Sequence, residues 1–236
     1  MRYLLARAAF DLFIPPICSH CKQGTASSVG LCSDCRVLLS QCHIPPEELP
    51  GLTLSGRKVV AAWYYRNGSP LRTLHRMAKY GENERVALWL GKKLGVRLKL
   101  LPSNLGDFSQ FEWNDWLCVP MPSHPARVLD RGMDSSRWMA RGVAEQLDIT
   151  LTMDLLSRTR LDPSQSQVDG SGRTKNVTGA FTCARQPAGN VLLIDDVVTT
   201  GATLDAAASV LEARGHHVKL AAVGFRRELF AYTRYR

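Results

Sequence analysis

The 236-residue chain lacks several features that would place it in a class at once. It has no uninterrupted run of about 18 apolar residues, so the sequence predicts no transmembrane helix and no membrane insertion. Arg7 and Asp11 interrupt the apolar start, residues 1–16, and no small-residue cleavage site follows, which argues against a signal peptide. Because the apolar residues there recur at helical spacing, we expect an amphipathic helix packed on the protein body, in preference to a membrane-attached one.

The sequence shows no internal repeat and no low-complexity run. It also has fewer acidic than basic residues. The chain has 21 Asp and Glu against 30 Lys and Arg, a net charge of +9. Residues 1–80 hold 10 of the basic and 4 of the acidic residues, so the excess is concentrated in the N-terminal third. Basic surfaces favour phosphates, nucleic acid or other anions, and we expect an anionic partner in this region.

The cysteines are unevenly placed along the chain. Four of the seven form two C-x2-C pairs separated by ten residues: Cys18, Cys21, Cys32 and Cys35. Paired knuckles of this kind bring four thiolates around one Zn²⁺ ion, and so small a segment needs such a staple to fold. Cys42 or His43 could replace one ligand. Disulfides or free thiols are the alternative, but the odd number of cysteines and the lack of an export signal favour a reducing compartment. We therefore expect structural zinc and a cytoplasmic location.

The rest of the chain predicts a parallel α/β sheet. Residues 42–56 are rich in Pro and Gly and read as a linker, which suggests two domains, residues 1–48 and 52–236. Short apolar strands then alternate with helices, as in parallel sheets. Strands are predicted over 58–65, 115–122, 191–194 and 217–225, and helices over 70–80, 84–100, 135–147 and 202–214. Residues 101–115 and 157–180 show no regular period.

The sequence VLLIDDVVTTGATLDAA, residues 191–207, combines a buried strand, two acids and a small polar loop. Ligands of parallel sheets bind beyond the carboxyl ends of the strands, where Asp195 and Asp196 are expected to leave this strand. The loop of residues 198–203 precedes a helix, and its backbone N–H groups and threonine hydroxyls suit a phosphate. Carboxylates accept hydrogen bonds from hydroxyl groups or hold a metal. Together these features favour a ribose 5-phosphate.

Two other interpretations compete for the same stretch. VLLIDD is also compatible with the magnesium-holding strand of a nucleotide triphosphatase, but no G-x4-G-K-[ST] partner is present at any of the 18 glycines. The other alternative is a surface turn with two solvated acids. The combination of the acid pair with TTGAT is more specific than a turn requires.

DDVVTTGAT, residues 195–203, resembles the phosphoribosyl pyrophosphate (PRPP) motif of type I phosphoribosyltransferases. The wider chain resembles the ComF family, also called GntX. The resemblance covers nearly the whole chain in order and is carried by FDLFIPPICSHC, HRMAKY, VPMPSHPARVLDRG and RTRLDPSQSQVDGSGRTKNVTGAF. It implies a parallel-sheet type I phosphoribosyltransferase-like domain with a small N-terminal four-cysteine zinc-binding module.

The resemblance also implies roles for individual residues. Asp195 and Asp196 would hold the ribose hydroxyls, and Mg²⁺ would bridge ribose and pyrophosphate. The residues expected to hold the 5-phosphate are Val198, Thr199, Thr200, Gly201, Ala202 and Thr203, and those expected near the pyrophosphate include Pro120 and Met121. The reaction would displace pyrophosphate at the anomeric carbon, where an enzyme acts by positioning and charge stabilisation.

A long polar segment would close over this site. Arg158, Arg160 and Arg173 could neutralise the leaving pyrophosphate from such a lid, and a solvated loop is the alternative. The chain departs from the family pattern at several positions: Met133, Asp134 and Ser135 stand where phenylalanine, asparagine and glutamine are usual, and Asp162 and Gln167 where threonine and glycine are common. Asp134 loses an amide donor and adds a negative charge, which bears on the choice of substrate more than on PRPP binding.

The family implies a link to natural competence or to use of external DNA, and two functions follow. One is an enzyme that transfers phosphoribose to a base or another nucleophile. The other is an accessory protein that handles single-stranded DNA with competence or DNA-processing proteins and uses PRPP or a nucleotide as a signal. Four basic residues interleave with Trp63, Tyr64, Tyr65 and Tyr80, as in single-strand binders: Arg66, Arg72, Arg76 and Lys79. Burial of Trp63 and Tyr65 in a strand is the alternative.

Overall fold

A computed structural model describes residues 17–25, 27, 29–80, 83–101, 113–124, 126, 128–129, 132–159 and 179–226. The expected N-terminal helix, Arg160 and Arg173 lie outside these ranges. Within the described ranges, none of the helices combines the length and the hydropathy that crossing a bilayer requires.

The described residues form a six-stranded sheet, a two-stranded sheet and five α-helices. The strands are β1 Thr53–Leu54, β2 Arg57–Tyr65, β3 Trp116–Pro120, β4 Thr150–Leu151, β5 Leu156–Arg158, β6 Phe181–Cys183, β7 Asn190–Val198 and β8 His217–Arg226. The helices are α1 Ser33–Ser40, α2 Pro70–Tyr80, α3 Glu84–Lys99, α4 Ser135–Leu147 and α5 Ala202–Glu212, with short 3-10 helices at Pro46–Gly51 and Trp113–Asp115.

The large sheet is parallel apart from one edge strand. Its order is β1-β2-β8-β7-β3-β4, in which β1 runs antiparallel to β2 and the other neighbours are parallel. Strands β5 and β6 pair separately as an antiparallel ribbon. The sequence-based prediction of a mixed α/β fold with a parallel sheet is therefore confirmed.

The central strands are buried on both faces, as parallel sheets covered by helices require. In β2 the six residues from Val59 to Tyr64 are all buried, and in β8 so are the seven from Lys219 to Phe225. Strand β7 is longer than the predicted 191–194, because its pairing with β8 continues from Asp195 opposite Ala222 to Val198 opposite Phe225. The acid pair thus lies inside the strand and does not follow it, which corrects the sequence-based expectation.

The predicted linker is packed into the fold. The Ile44 N–H donates to the Ala62 carbonyl at 3.1 Å, and the Tyr64 N–H donates to the Cys42 carbonyl at 2.8 Å. Leu49 and Leu52 are fully buried in the same continuous core as the sheet. The two segments share one continuous core. Their division into separate domains, residues 1–48 and 52–236, stays a prediction.

Helices α3 and α4 touch backbone to backbone through glycines. A Cβ atom on Gly91 would collide with the carbonyl oxygen of Met139, and one on Gly142 would collide with that of Leu88. Such close approach positions α4, whose N-terminus lies beside the candidate site described below.

We expect Gly91→Ala to lower the free energy of unfolding by about 3 kcal/mol, the upper end for overpacking, because the added methyl meets rigid backbone. Gly189→Ala is the matched control, since a Cβ there would meet nothing within 4 Å, and should change stability by less than about 0.5 kcal/mol. Urea unfolding monitored by circular dichroism measures both. Equal midpoints for the two variants would contradict the close helix contact.

Candidate functional site

Asp195 and Asp196 lie near the carboxyl end of β7, where the neighbouring strand β3 has already ended. Strand β3 ends with Pro120 opposite Ile194, so Asp195 and Asp196 extend beyond its end. They line a cavity of about 160 Å³. Side chains from several elements complete it, among them Lys79, Met121, Ser123, His124, Arg158 and Thr203. The structure therefore brings together parts of the sequence that are far apart in the chain, at the edge where α/β proteins bind ligands.

Helix α2 supplies the partners of Asp196. Lys79 Nζ lies 2.5 Å and His75 Nε2 3.3 Å from Asp196 Oδ2. His75 Nδ1 lies 3.3 Å from the Tyr65 hydroxyl on β2. Sequence reasoning assigned Lys79 to nucleic acid and gave His75 no partner. The signal that could have found them is their i, i+4 spacing, which places both on one face of the predicted helix.

The two carboxyl groups have opposite electrostatic environments. Burial, together with the neighbouring charge of Asp196, raises the pKa of Asp195 to about 7. Burial also opposes ionisation of Asp196, but Lys79 and His75 outweigh it and hold that pKa well below its usual range. Near neutral pH the pair therefore has one firmly ionised member and one that exchanges a proton readily.

The predicted phosphate loop links β7 to helix α5. Gly201 precedes that helix as its N-cap with φ +76°, a conformation that costs other residues about 1–2 kcal/mol. A Cβ there would also collide with the Leu54 side chain on β1. Thr199, Ala202 and Thr203 are half-buried and Thr200 is exposed. Val198 is buried inside β7, so only its backbone can serve a ligand.

The residues expected near the pyrophosphate lie at the end of β3. Pro120 is its last residue, and the Met121 N–H donates to the Ile194 carbonyl at 2.8 Å, which holds the following turn against β7. Met121 is buried and lines the cavity. Arg158, at the end of β5, lines it too, with its guanidinium 5.4 Å from the centre of the Phe181 ring.

Asp134, a departure from the family pattern, begins helix α4. Its carboxylate accepts from the Ser136 N–H at 3.2 Å and from the Ser123 hydroxyl at 3.2 Å. Burial raises its pKa. Aspartate caps a helix as well as asparagine does, so the change keeps the cap and places a carboxyl group behind Ser123.

The aromatic members of the basic and aromatic set differ in exposure. Trp63 and Tyr64 are buried, Tyr65 is half-buried, and Tyr80 is exposed. Arg66 lies over the Tyr64 ring and Arg72 donates to Asn67, while Lys79 pairs with Asp196. For Trp63, burial in the core is confirmed, because β2 is covered on both faces.

The four predicted zinc ligands converge. The sulfur atoms of Cys18, Cys21, Cys32 and Cys35 all lie within 4.8 Å of one another. Those of Cys21 and Cys32 are 3.6 Å apart, close to the roughly 3.8 Å edge of a zinc–sulfur tetrahedron with bonds near 2.3 Å. Cys42 lies outside this group, with its thiol directed to the Leu38 carbonyl at 3.5 Å. The cluster fits a structural zinc ion with four thiolate ligands.

Backbone groups favour a thiolate at Cys18, whereas burial and the neighbouring thiols raise the pKa of Cys35. Burial opposes ionisation of Cys18, but N–H groups of Cys21, Cys32 and His20 outweigh it and lower its pKa to about 6. The module also contacts the site helix, since His20 Nδ1 lies 2.9 Å from the Thr73 hydroxyl on α2. None of the seven cysteines forms a disulfide.

Comparison with known proteins supports the assignment drawn from the motifs. Residues 133–229 match the model of the phosphoribosyl transferase domain. The chain is 24% identical over 200 residues to DNA utilization protein YhgH of Escherichia coli K12, covering 84% of this chain and 85% of that one. It is 26% identical over 216 residues to competence protein F of Haemophilus influenzae, covering 84% and 91%.

Solved structures overlap more loosely. A hypoxanthine phosphoribosyltransferase from Staphylococcus aureus gives a TM-score of 0.36 at 16% identity, over 60% of this chain and 63% of that one. Orotate phosphoribosyltransferase from Aeropyrum pernix gives 0.32 at 21% identity, over 76% and 77%. The sequence matches and the resemblance of the motifs agree: the chain is similar over 84% of its length to competence protein F and to the DNA utilization proteins, and its residues 133–229 match the phosphoribosyl transferase domain.

Proposed function

We propose that the protein binds PRPP with Mg²⁺ at the Asp195–Asp196 cavity and acts in natural competence or the use of external DNA. The observation that carries this proposal is the arrangement at the end of β7. An ionised Asp196 and a proton-exchanging Asp195 lie in one cavity with Thr203 at the start of helix α5. Carboxylates for hydroxyl groups and a helix N-terminus for a phosphate match the two ends of a ribose 5-phosphate.

Each wall of the cavity has a role in this proposal. Asp195 and Asp196 accept hydrogen bonds from the ribose hydroxyls, and the loop of residues 198–203 holds the 5-phosphate. Lys79 keeps Asp196 ionised, and Arg158 with the turn at Met121 faces the pyrophosphate. Bound Mg²⁺ would be held by the carboxylates and would supply positive charge between ribose and pyrophosphate.

The reaction we infer is transfer of phosphoribose to a nucleophile. The anomeric C–O bond to pyrophosphate breaks, both of its electrons leave with the pyrophosphate, and the nucleophile forms the new bond to that carbon. Positive charge develops on the sugar and negative charge on the leaving group, so catalysis is positioning and charge stabilisation. Arg158, which lines the cavity, would neutralise the leaving group, and Arg160 and Arg173 are proposed for the same role.

Calorimetric titration with PRPP and Mg²⁺ tests the site. We expect binding by the native protein and a loss of at least about 100-fold in affinity for Asp195→Asn, Asp196→Asn, since two acceptors of charge-assisted hydrogen bonds are lost. Glu84→Gln, an exposed acid in the first turn of α3, is the control and should bind normally. Absence of binding to the native protein would refute the ligand assignment.

The same titration measures how many protons are released when PRPP binds. With a pKa of about 7 for Asp195, binding that ionises this group at pH 7 should release about half a proton. Affinity should then rise between pH 6 and pH 8. Titrations in buffers of different ionisation enthalpy measure the release, and Asp195→Asn should remove it, leaving the contribution of PRPP itself.

The accessory function rests on a different observation, the names of the relatives. If the protein handles single-stranded DNA, binding should weaken steeply with salt and depend on Arg66, Arg72 and Arg76. If single-stranded DNA does not bind, or binds without dependence on salt, phosphoribosyl transfer remains the proposed function. Release of pyrophosphate with a particular base would establish the enzyme directly.

A further inference from the structure

A second cavity, of about 380 Å³, lies between helix α1 of the cysteine module, strand β2 and helix α3. Leu39, His43, Trp63 and Trp89 form apolar and aromatic walls, and the exposed cations Arg36 and Lys93 also line it. It shares no lining residue with the carboxylate cavity. Its volume is within the range of small-molecule sites, about 300–1,000 Å³.

The walls suit a flat aromatic group. Trp63 and Trp89 are nearly parallel, with an interplanar angle of 17° and centroids 6.3 Å apart, and the His43 ring meets Trp63 edge-on at 5.1 Å. Trp63 is 1% exposed, yet its Nε1–H has no hydrogen-bond partner among the described residues. A buried donor without a partner costs about 1–3 kcal/mol.

The charges at this cavity favour an anion. Lys93 Nζ lies 5.5 Å from the Trp89 ring centre, and Arg36 donates to the neutral Ser27 hydroxyl at 2.9 Å. In the part of the chain that the structure describes, no carboxylate lies within 4.0 Å of either cation. Arg97 adds positive charge nearby, and burial together with Arg97 and Lys93 lowers the pKa of His43. A neutral His43 ring can pack against a base without a charge of its own.

We propose that this cavity binds one nucleoside 5′-monophosphate, with the base against Trp63 and Trp89 and the phosphate at Arg36 and Lys93. The aromatic walls match a base, the cations match a phosphate, and the volume of about 380 Å³ between three elements suits a single nucleotide better than a running strand. This inference does not depend on PRPP binding, because the two cavities have no lining residue in common.

Adenosine 5′-monophosphate is the probe, titrated calorimetrically and by tryptophan fluorescence into the full chain with zinc bound. Trp89→Ala should weaken binding at least fivefold, since base stacking on an aromatic side chain contributes about 1–3 kcal/mol. Lys93→Gln should weaken it about threefold and reduce its salt dependence. Because Lys93 is exposed, its replacement should leave the core intact. The test therefore remains valid even if Trp89→Ala fails to fold.

Helix α4 offers a matched control, because Arg141 lies over the Trp138 ring at 5.2 Å outside this cavity. Trp138→Ala and Arg141→Gln should bind the probe normally. The Asp195→Asn, Asp196→Asn variant, which removes the acceptors for the ribose hydroxyls of the probe at the carboxylate cavity, should still bind it, and PRPP should not displace the probe from that variant. Loss of binding in the aspartate variant would assign the probe to the other cavity and overturn the proposal. Absence of probe binding would also overturn the proposal. A thymidine decamer that binds at least tenfold tighter than the probe, and loses that affinity in Trp89→Ala, would overturn it too, because the occupant would then be a strand.

Discussion

Replacing Lys79 with methionine should lower the free energy of unfolding by about 2–4 kcal/mol, because it leaves the buried Asp196 carboxylate without its closest cation. Breaking a buried ion pair by removing one partner costs about 3–5 kcal/mol. Lys79 retains some contact with solvent, with 23% of its side chain exposed, which reduces that cost. Lys79→Arg keeps the charge and should recover most of the stability.

The pH dependence of this effect has a definite sign. In the native protein the pKa of Asp196 is lowered, so its ionisation contributes stability above about pH 4 that is lost as the pH falls. Without Lys79 burial outweighs the remaining His75, the folded-state pKa rises above the unfolded value, and ionisation becomes unfavourable. The difference between Lys79→Met and the native protein should therefore be larger at pH 8 than at pH 4.5.

Urea unfolding at the two pH values measures this difference. Lys92→Met removes the cation of a surface pair, 2.9 Å from Glu145, and should cost less than about 1 kcal/mol at either pH. If Lys79→Met behaved like Lys92→Met, the Lys79–Asp196 pair would not hold the site in its observed form.

Loss of metal from the cysteine cluster should affect the carboxylate cavity as well as the N-terminal module. We expect about one zinc per chain in the native protein, and none in Cys32→Ser, Cys35→Ser, whose module residues 17–41 should lose amide protection because structural zinc supplies most of the stability of so small a unit. The module contacts α2 through His20 and Thr73, and α2 carries His75 and Lys79. Affinity for PRPP with Mg²⁺ should therefore fall about tenfold.

Cys42→Ser is the control for the cysteine variant. Cys42 is buried beside the module but outside the four-sulfur group, so this variant should keep its zinc and its PRPP affinity. Metal analysis, hydrogen exchange and calorimetry measure the three effects. Zinc lost from Cys42→Ser would place Cys42 among the ligands, and unchanged PRPP affinity in the double cysteine variant would separate the module from the site.

Local patterns predicted helices α2, α3, α4 and α5 and the cysteine cluster well, since their causes lie within a few residues, whereas α1 was not predicted. Helices α2 and α4 have the predicted bounds, 70–80 and 135–147. Pro70 opens the first of them, and Asp134 caps the second. The four cysteines converge because two C-x2-C knuckles need only one turn between them. The loop after β7 likewise carries its own signal in TTGAT.

Long-range packing decided the rest of the site and could not be read from those patterns. The end of β7 was misplaced because acids usually end a strand, whereas pairing with β8 continues through them. Sequence reasoning left Trp63 open between contact with nucleic acid and burial in a strand, and packing on both faces of β2 decided for burial. Ser123 and Asp134 are joined only by the fold of the turn between β3 and α4.

By itself, the sequence determined which candidate ligand groups this protein offers: a carboxylate pair, a loop predicted to hold a phosphate, and four cysteine thiols, each set by neighbours in the chain. The tertiary structure alone decided which charge faces Asp196. Lys79 and His75 lie on a helix far away in the sequence, and they reach the carboxylate because α2 packs across the end of the sheet. Burial then makes that pairing strong enough to separate the pKa values of two adjacent aspartates.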